Sequence, residues 1–196
     1  MERLIDACVY RDEGERKDLF EYLDGLPVEY HKEYKRFNKT VKVPRGQASF
    51  TLNADIHYDY KVSGGSPPNT VMCDRLRQVT ARVNEALGTN FNTILLNKYK
   101  DGEDCIGFHR DRENGWVEGT GFATLSLGAE RDFIVKHEAT GETRSILHRD
   151  GHALYLPYPM NQECLHGVPK RKKVKDCRIS LTFREIATVT NPENTC

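Results

Sequence analysis

Between Asn97 and Glu113 the chain reads Asn-Lys-Tyr-Lys-Asp-Gly-Glu-Asp-Cys-Ile-Gly-Phe-His-Arg-Asp-Arg-Glu. At the centre of this run His109 and Asp111 stand two residues apart. In an extended chain, side chains two apart share a face, so an imidazole and a carboxylate converge on one ion. An isolated H-x-D pair is common on protein surfaces and names no chemistry. A second imidazole further on, His166, turns the pair into a candidate set of three ligands.

Two histidines and one carboxylate on one face of an octahedral ion leave three adjacent positions open, the arrangement of non-haem Fe(II) oxygenases. A 2-oxo acid fills two of those positions and dioxygen the third. Such a co-substrate has a distal carboxylate, which a planar guanidinium binds in bidentate fashion. The stretch Cys177-Arg178-Ile179-Ser180-Leu181-Thr182-Phe183-Arg184 supplies one. Arg178, Ser180, Thr182 and Arg184 fall on one face of a strand, and Ile179, Leu181 and Phe183 on the other. With the three ligands, this reads as a barrel strand whose polar face lines a ligand pocket.

Asn-Lys-Tyr-Lys-Asp-Gly, Ile-Gly-Phe-His-Arg-Asp-Arg-Glu, Arg-Lys-Lys-Val and Leu-Thr-Phe-Arg, with His166 between them, resemble the AlkB family of Fe(II)/2-oxoglutarate dioxygenases. Within it the chain is most similar to the animal homologue 2 type, which repairs alkylated bases in duplex DNA. The resemblance runs from about Phe37 to Ile186 and implies Fe(II), 2-oxoglutarate and dioxygen. The metal ligands would be His109, Asp111 and His166. Arg178 would hold the distal carboxylate, with Asn97, Tyr99 and Thr182 adding hydrogen bonds and Arg184 near the metal end. The implied reaction hydroxylates an N-linked methyl on a base of the 1-methyladenine or 3-methylcytosine type. Formaldehyde then leaves, and succinate and CO2 are the other products.

The elements that position these groups follow in chain order. Residues 12–24 suggest a short amphipathic helix closed by Gly25 and Pro27. Residues 28–43 mix aromatic and basic side chains, a pattern shared by a solvated hairpin and a nucleic-acid surface. By resemblance, 28–66 is a nucleotide-recognition lid. Pro44-Arg45-x-Gln47-Ala48 matches its start and puts Arg45 among the substrate contacts. Phe37 falls at an inserted finger residue, and Tyr58 and Tyr60 at rings contacting the flipped base. Phe50–Ile56 holds extra residues against the family, and Tyr60 replaces a phenylalanine. Met72, Leu76, Val79, Val83 and Leu87 recur at helical spacing, with Asn69 as cap and Gly88 as stop.

Strands are expected at Thr93–Tyr99, Gly121–Leu127, Arg131–His137, Thr143–His148, His152–Tyr158 and Cys177–Ile186, with a hairpin turn at Thr140-Gly141. Many strands with short turns, and ligands on several of them, indicate a double-sheet jelly roll. The fold class is therefore α+β, mostly β: a double-stranded β-helix over 92–186, buttressed by helices, within one domain 1–196 that ends in a loose tail, 187–196. Glu113, two past Asp111, is placed for Arg184, for a base edge, or for solvent. Lys170-Arg171-Lys172-Lys173-Val174-Lys175 leaves the metal ligand and returns to the co-substrate strand. In the homologue 2 type a similar loop grips the strand opposite the lesion, which assigns Arg171, Lys172 and Lys173 to DNA.

Lys plus Arg and Asp plus Glu are both 29, so global charge neither supports nor excludes nucleic acid. The 6 cysteines form no C-x-x-C pair, and no signal peptide or apolar run of membrane length appears. These features suggest a monomeric intracellular protein with reduced thiols, nuclear in a eukaryotic cell. Nucleic acid is the expected partner, duplex DNA favoured and RNA possible, with no membrane. The alternatives are an RNA demethylase or single-strand-specific enzyme of the same family, a zinc hydrolase on the same ligands, and a catalytically silent nucleic-acid binder.

Overall fold

The computed structural model describes residues 4–30, 33–36, 39–58 and 67–187. Strand β1 (Ile5–Cys8) and helix α1 (Glu13–Asp24) are followed by a hairpin of β2 (Glu33–Arg36) and β3 (Lys39–Lys42). Then come β4 (Gly46–Thr51), β5 (Asn69–Val71), α2 (Asp74–Leu87) and β6 (Thr93–Tyr99). The rest of the chain forms β7 (Ile106–His109), β8 (Phe122–Gly128), β9 (Arg131–His137), β10 (Thr143–His148) and β11 (His152–Leu156). It ends with α3 (Tyr158–Glu163), β12 (Cys164–Val168) and β13 (Arg178–Arg184). A seven-stranded sheet, ordered β1-β11-β8-β13-β6-β4-β5, faces a four-stranded sheet, ordered β10-β9-β12-β7. This is the expected double-sheet jelly roll.

Alternation divides the large sheet into two faces. Ile94 and Leu96 of β6, Leu125 and Leu127 of β8, and Ile179, Leu181 and Phe183 of β13 point one way and are fully buried. They pack with Leu19 and Leu23 of α1 and with Leu76, Val79 and Val83 of α2, so both helices back the sheet. Truncating a residue such as Leu181 to Ala would cost about 2–5 kcal/mol. Asp12 starts α1 by accepting the Glu15 amide at 2.8 Å. Gly88 ends α2 in the left-handed region, φ 65°, where a Cβ is disfavoured.

Several boundaries differ from the sequence reading. Asn69 does not cap α2; Cys73 does, and Asn69 opens β5. Its amide is already used, accepting from Ser49 Oγ at 2.8 Å and donating to the Tyr58 carbonyl at 3.1 Å. Gly46–Thr51, within the stretch assigned to the lid, forms a buried strand of the large sheet, paired with β6 and β5. The strand from His152 stops at Leu156, because Pro157 turns the chain into α3. Cys164–Val168, given no element from sequence, pairs with β9 and β7 and brings His166 into the small sheet. Phe37, Tyr60 and the tail beyond residue 187 lie outside the described residues.

Candidate active site

The polar face of the large sheet is built by register. β13 lies between β6 and β8, setting Arg178 beside Tyr99 and Gly128, Ser180 beside Asn97 and Ser126, and Thr182 beside Leu95 and Thr124. These polar side chains point between the sheets, opposite the apolar face that packs on the helices. A cavity of about 610 Å³ opens there. Its walls include Asn97, Tyr99, Arg178, Thr182 and Arg184, together with His109, Asp111 and His166.

Three ligand residues converge at one end of the cavity. β7 and β12 pair with His109 directly opposite His166, which brings the two rings to a centroid distance of 4.3 Å, tilted by 56°. Asp111 lies past the end of β7, so the pair shares no single strand as the H-x-D spacing implied. Its Oδ1 nonetheless stands 3.5 Å from His109 Nε2 and 3.8 Å from His166 Nε2. One ligand atom from each residue falls within 4.8 Å of the others. His109 Nδ1–H donates to the Gly107 carbonyl at 2.9 Å, which fixes the tautomer and leaves Nε2 a free lone pair.

Burial sets the charges. His166 packs against Phe122 and Phe133, and burial pushes its pKa down to about 3, helped by the neighbouring His109. Burial alone would raise the Asp111 carboxyl; the Arg184 guanidinium and both imidazoles hold it well below the usual carboxylate range. An ionised carboxylate and a neutral imidazole are the forms that bind a divalent cation. The donor set fits such an ion.

Arg178 is 1% exposed. Its Nε donates to Ser126 Oγ at 2.8 Å and its Nη2 to His148 Nδ1 at 3.1 Å, while the Tyr99 ring lies 5.1 Å from Cζ. Nη1 is buried on the cavity wall and makes no hydrogen bond of normal geometry among the described residues. A buried charged donor of this kind calls for an anionic partner, and a carboxylate is the matching group. The other pocket groups are similarly fixed. Asn97 Oδ1 accepts from Arg45 Nε at 2.8 Å and Gln47 Nε2 at 2.9 Å.

Arg45 and Tyr58 also line the cavity, both buried. Arg45 spends its guanidinium on Asn97 and the Cys105 carbonyl. Tyr58 donates to the Arg112 carbonyl at 3.1 Å and accepts from Trp116 Nε1 at 3.0 Å, bracing the segment after Asp111. Glu113 is tied to α3. Its carboxylate accepts from Asn161 Nδ2 at 2.6 Å and from Gln162 Nε2. The cause is α3, which places two polar amides in a stretch given no element from sequence.

The basic loop lies apart from the cavity and is already engaged. Arg171 pairs with Asp132, and Glu103 lies 3.2 Å from Lys170 and 3.9 Å from Lys172. Lys173 pairs with no carboxylate among the described residues and is exposed. The loop's base is fixed by backbone: the Gly102 amide donates to Val174, and Arg171 donates to Gly102. A Cβ on Gly102 would sit 1.7 Å from the Arg171 oxygen. Arg131 adds a buried guanidinium that donates to the Asp101, Asp104 and Pro169 carbonyls.

Sequence reasoning missed Ser126, His148, Gln47 and Asn161. The first lies on a polar face that alternation exposes; the others carry no local pattern.

Among relatives, DNA oxidative demethylase ALKBH2 of Bos taurus is 36% identical over 162 residues, covering 79% of this chain and 57% of that protein. ALKBH2 of Mus musculus is 37% identical over 158 residues, covering 76% and 65%. The chain thus spans under two thirds of the length of either relative. The solved structure of OsALKBH1 superposes with a TM-score of 0.64 at 15% identity, over 94% of this chain and 100% of that one, a likeness of fold. A profile of the 2OG-Fe(II) oxygenase superfamily matches residues 4–184, and by that match the chain belongs to this superfamily.

Proposed function

We propose that the protein oxidatively demethylates N-alkylated bases, of the 1-methyladenine and 3-methylcytosine type, in DNA, with duplex DNA favoured. His109, Asp111 and His166 would hold Fe(II), and Arg178 would hold the distal carboxylate of 2-oxoglutarate. With dioxygen, these groups supply an oxidant that hydroxylates the N-linked methyl; the hemiaminal then releases formaldehyde and the restored base. The observation carrying the reading is a single cavity that has the three ligands at one end and a buried, under-satisfied arginine fork on its wall.

The chain's own residues do the positioning. Arg184 keeps Asp111 ionised and aimed at the imidazoles. Ser126 and His148 fix the plane of Arg178, and Arg45 with Gln47 fixes Asn97. The half-exposed Phe108 stands at the rim beside His109, on the path by which a base would enter. A base in a duplex must leave the stack to reach this depth, at a cost of roughly a few kcal/mol. Phe37 is the residue proposed to fill the gap, and Tyr60 a ring proposed to stack on the flipped base. A monomer acting in the nucleus of a eukaryotic cell completes the reading.

One observation favours a second reading, a single-strand or RNA substrate. Two of the three loop cations assigned to the opposite strand, Arg171 and Lys172, are matched by Asp132 and Glu103. The test is turnover on matched single- and double-stranded methylated DNA and RNA after anaerobic loading with Fe(II) and 2-oxoglutarate. Succinate and formaldehyde released fastest with duplex DNA support the proposal. Turnover confined to single strands or RNA selects the second reading. Absence of 2-oxoglutarate consumption with any substrate overturns both.

A further inference from the structure

The chain past His109 should not hold its shape by itself. Continuing the antiparallel register from the His166–His109 pair would set Asp111 opposite Cys164. The β7–β12 pairing stops at His109, and among the described residues Cys164 pairs only on its other side, with His137 of β9. Among the described residues, Asp111 is therefore a ligand on a segment without a backbone partner strand. Asn161 fills that place. Its Oδ1 accepts from the Asp111 amide at 3.3 Å and its Nδ2 donates to the Asp111 carbonyl at 3.0 Å. One side-chain amide thus offers both the acceptor and the donor that a strand backbone would have offered. The second Nδ2 hydrogen reaches Glu113 Oε1 at 2.6 Å, joining the clamp to the next turn of the segment. Asn161 is fully buried, so these bonds do not compete with water.

We infer that Asn161 is the positioning residue of the metal centre: its amide splints the Asp111 main chain so that the carboxylate meets the two imidazoles before any ion arrives. The inference rests on the reading of His109, Asp111 and His166 as metal ligands. Only an amide serves here. An aspartate would set oxygen against the Asp111 carbonyl and the Glu113 carboxylate, and an alanine would leave the Asp111 amide and carbonyl without partners. Arg184 orients the carboxylate itself, but it grips a side chain that rotates about a mobile backbone unless the backbone is fixed too.

The experiment titrates Co(II), an air-stable stand-in for Fe(II), into the metal-free protein and its variants, following the visible absorption of the bound ion. Asn161→Ala and Asn161→Asp should weaken Co(II) binding by about 10- to 100-fold, the range for residues that orient metal ligands, and should alter the Co(II) absorption envelope. Gln162→Ala, which removes only a tie on Glu113, should bind Co(II) as the unaltered protein does. Asp111→Asn tests the underlying reading. If it binds Co(II) as tightly as the unaltered protein, the ligand assignment falls and takes this inference with it. If Asp111→Asn loses Co(II) while folded Asn161 variants keep full affinity and spectrum, the ligands stand and the splint is wrong. Hydrogen exchange in the unaltered, metal-free protein gives a readout that needs no variant. The Asp111 amide should be protected, and exchange at the rate of a free loop would overturn the inference.

Discussion

The two oxygens of Asp111 serve different partners. Oδ2 accepts from Arg184 Nη2 at 2.6 Å and Nε at 3.2 Å, while Oδ1 turns toward His109 and His166 at 3.5 and 3.8 Å. The Arg184 and Asp111 side chains are 4% and 9% exposed, so the carboxylate is both a ligand and the counter-charge of a buried guanidinium.

Replacing Asp111 therefore has two separable effects. Asp111→Ala should abolish turnover and also destabilise the metal-free protein by about 3–5 kcal/mol, because Arg184 is left buried without its carboxylate. Asp111→Asn should abolish turnover with a smaller loss, since one amide oxygen still accepts from Arg184. Urea unfolding followed by circular dichroism, alongside succinate release, distinguishes the two. An Ala variant as stable as the unaltered protein would show that the ion pair contributes little.

Arg178→Lys keeps the charge and loses the planar fork. The concentration of 2-oxoglutarate giving half-maximal rate should rise roughly 10- to 100-fold, from the loss of a charged hydrogen bond of about 1.5–3 kcal/mol, while the maximal rate changes less. His148→Leu should shift the same constant in the same direction by a smaller factor, because it frees Nη2 without removing the fork. Unchanged 2-oxoglutarate saturation in Arg178→Lys would show that this arginine is not the clamp.

His148 also predicts an acid limit. Burial, reinforced by Arg178, holds its pKa well below the ordinary 6.5, so it stays neutral in the folded protein. An unfolded chain takes up that proton as pH falls below about 6.5, and the native state does not. Stability attributable to this group is complete above pH 6.5 and declines as pH falls toward the depressed native value, by up to about 1.4 kcal/mol per pH unit. His148→Asn should remove that part of the slope between pH 6.5 and 5 in the metal-free protein. The same slope in both proteins would mean that His148 is not held neutral.

Duplex binding should respond to carboxylates as well as to cations. Neutralising Arg171, Lys172 and Lys173 should flatten the salt dependence by up to roughly 2.7 units if all three meet phosphate. Glu103→Gln frees Lys170 and Lys172 and should strengthen duplex binding by up to about fivefold, the scale of exposed ion pairs. Phe37→Ala should leave the salt slope alone and lower activity on paired lesions, with partial recovery at a mismatch. Fluorescence anisotropy at several salt concentrations reads the binding terms. A weaker Glu103→Gln complex would show that the loop does not meet the DNA.

What was legible in the sequence was whatever repeats at a fixed period. The two faces of Arg178–Arg184 follow from alternation, and the backing helix α2 from apolar spacing. The polar face of β8 was readable in the same way, whereas Asp111 lies past the end of β7 and meets His109 without the shared strand that alternation assumed. Gly-Gln-Ala-Ser-Phe-Thr has no clean alternation, so its place inside the large sheet and the bond from Gln47 to Asn97 were not readable. Tyr-Pro-Met-Asn-Gln-Glu is too short to show helical periodicity, so α3 and Asn161 were invisible. His148 takes its role from Arg178, 30 residues later in the chain, and no local spacing marks such a pair.

The place of β13 has a consequence for synthesis. The last strand of the described chain is not an edge but the strip between β8 and β6, and without it the large sheet falls into β1-β11-β8 and β6-β4-β5. On the ribosome, both halves wait with open, apolar flanks until residues 178–184 emerge. The same seven residues deliver Arg178 and Arg184. A nascent chain therefore acquires its sheet and its ligand chemistry in one event, and a message cut short before that strand yields an aggregation-prone fragment rather than a weakened enzyme.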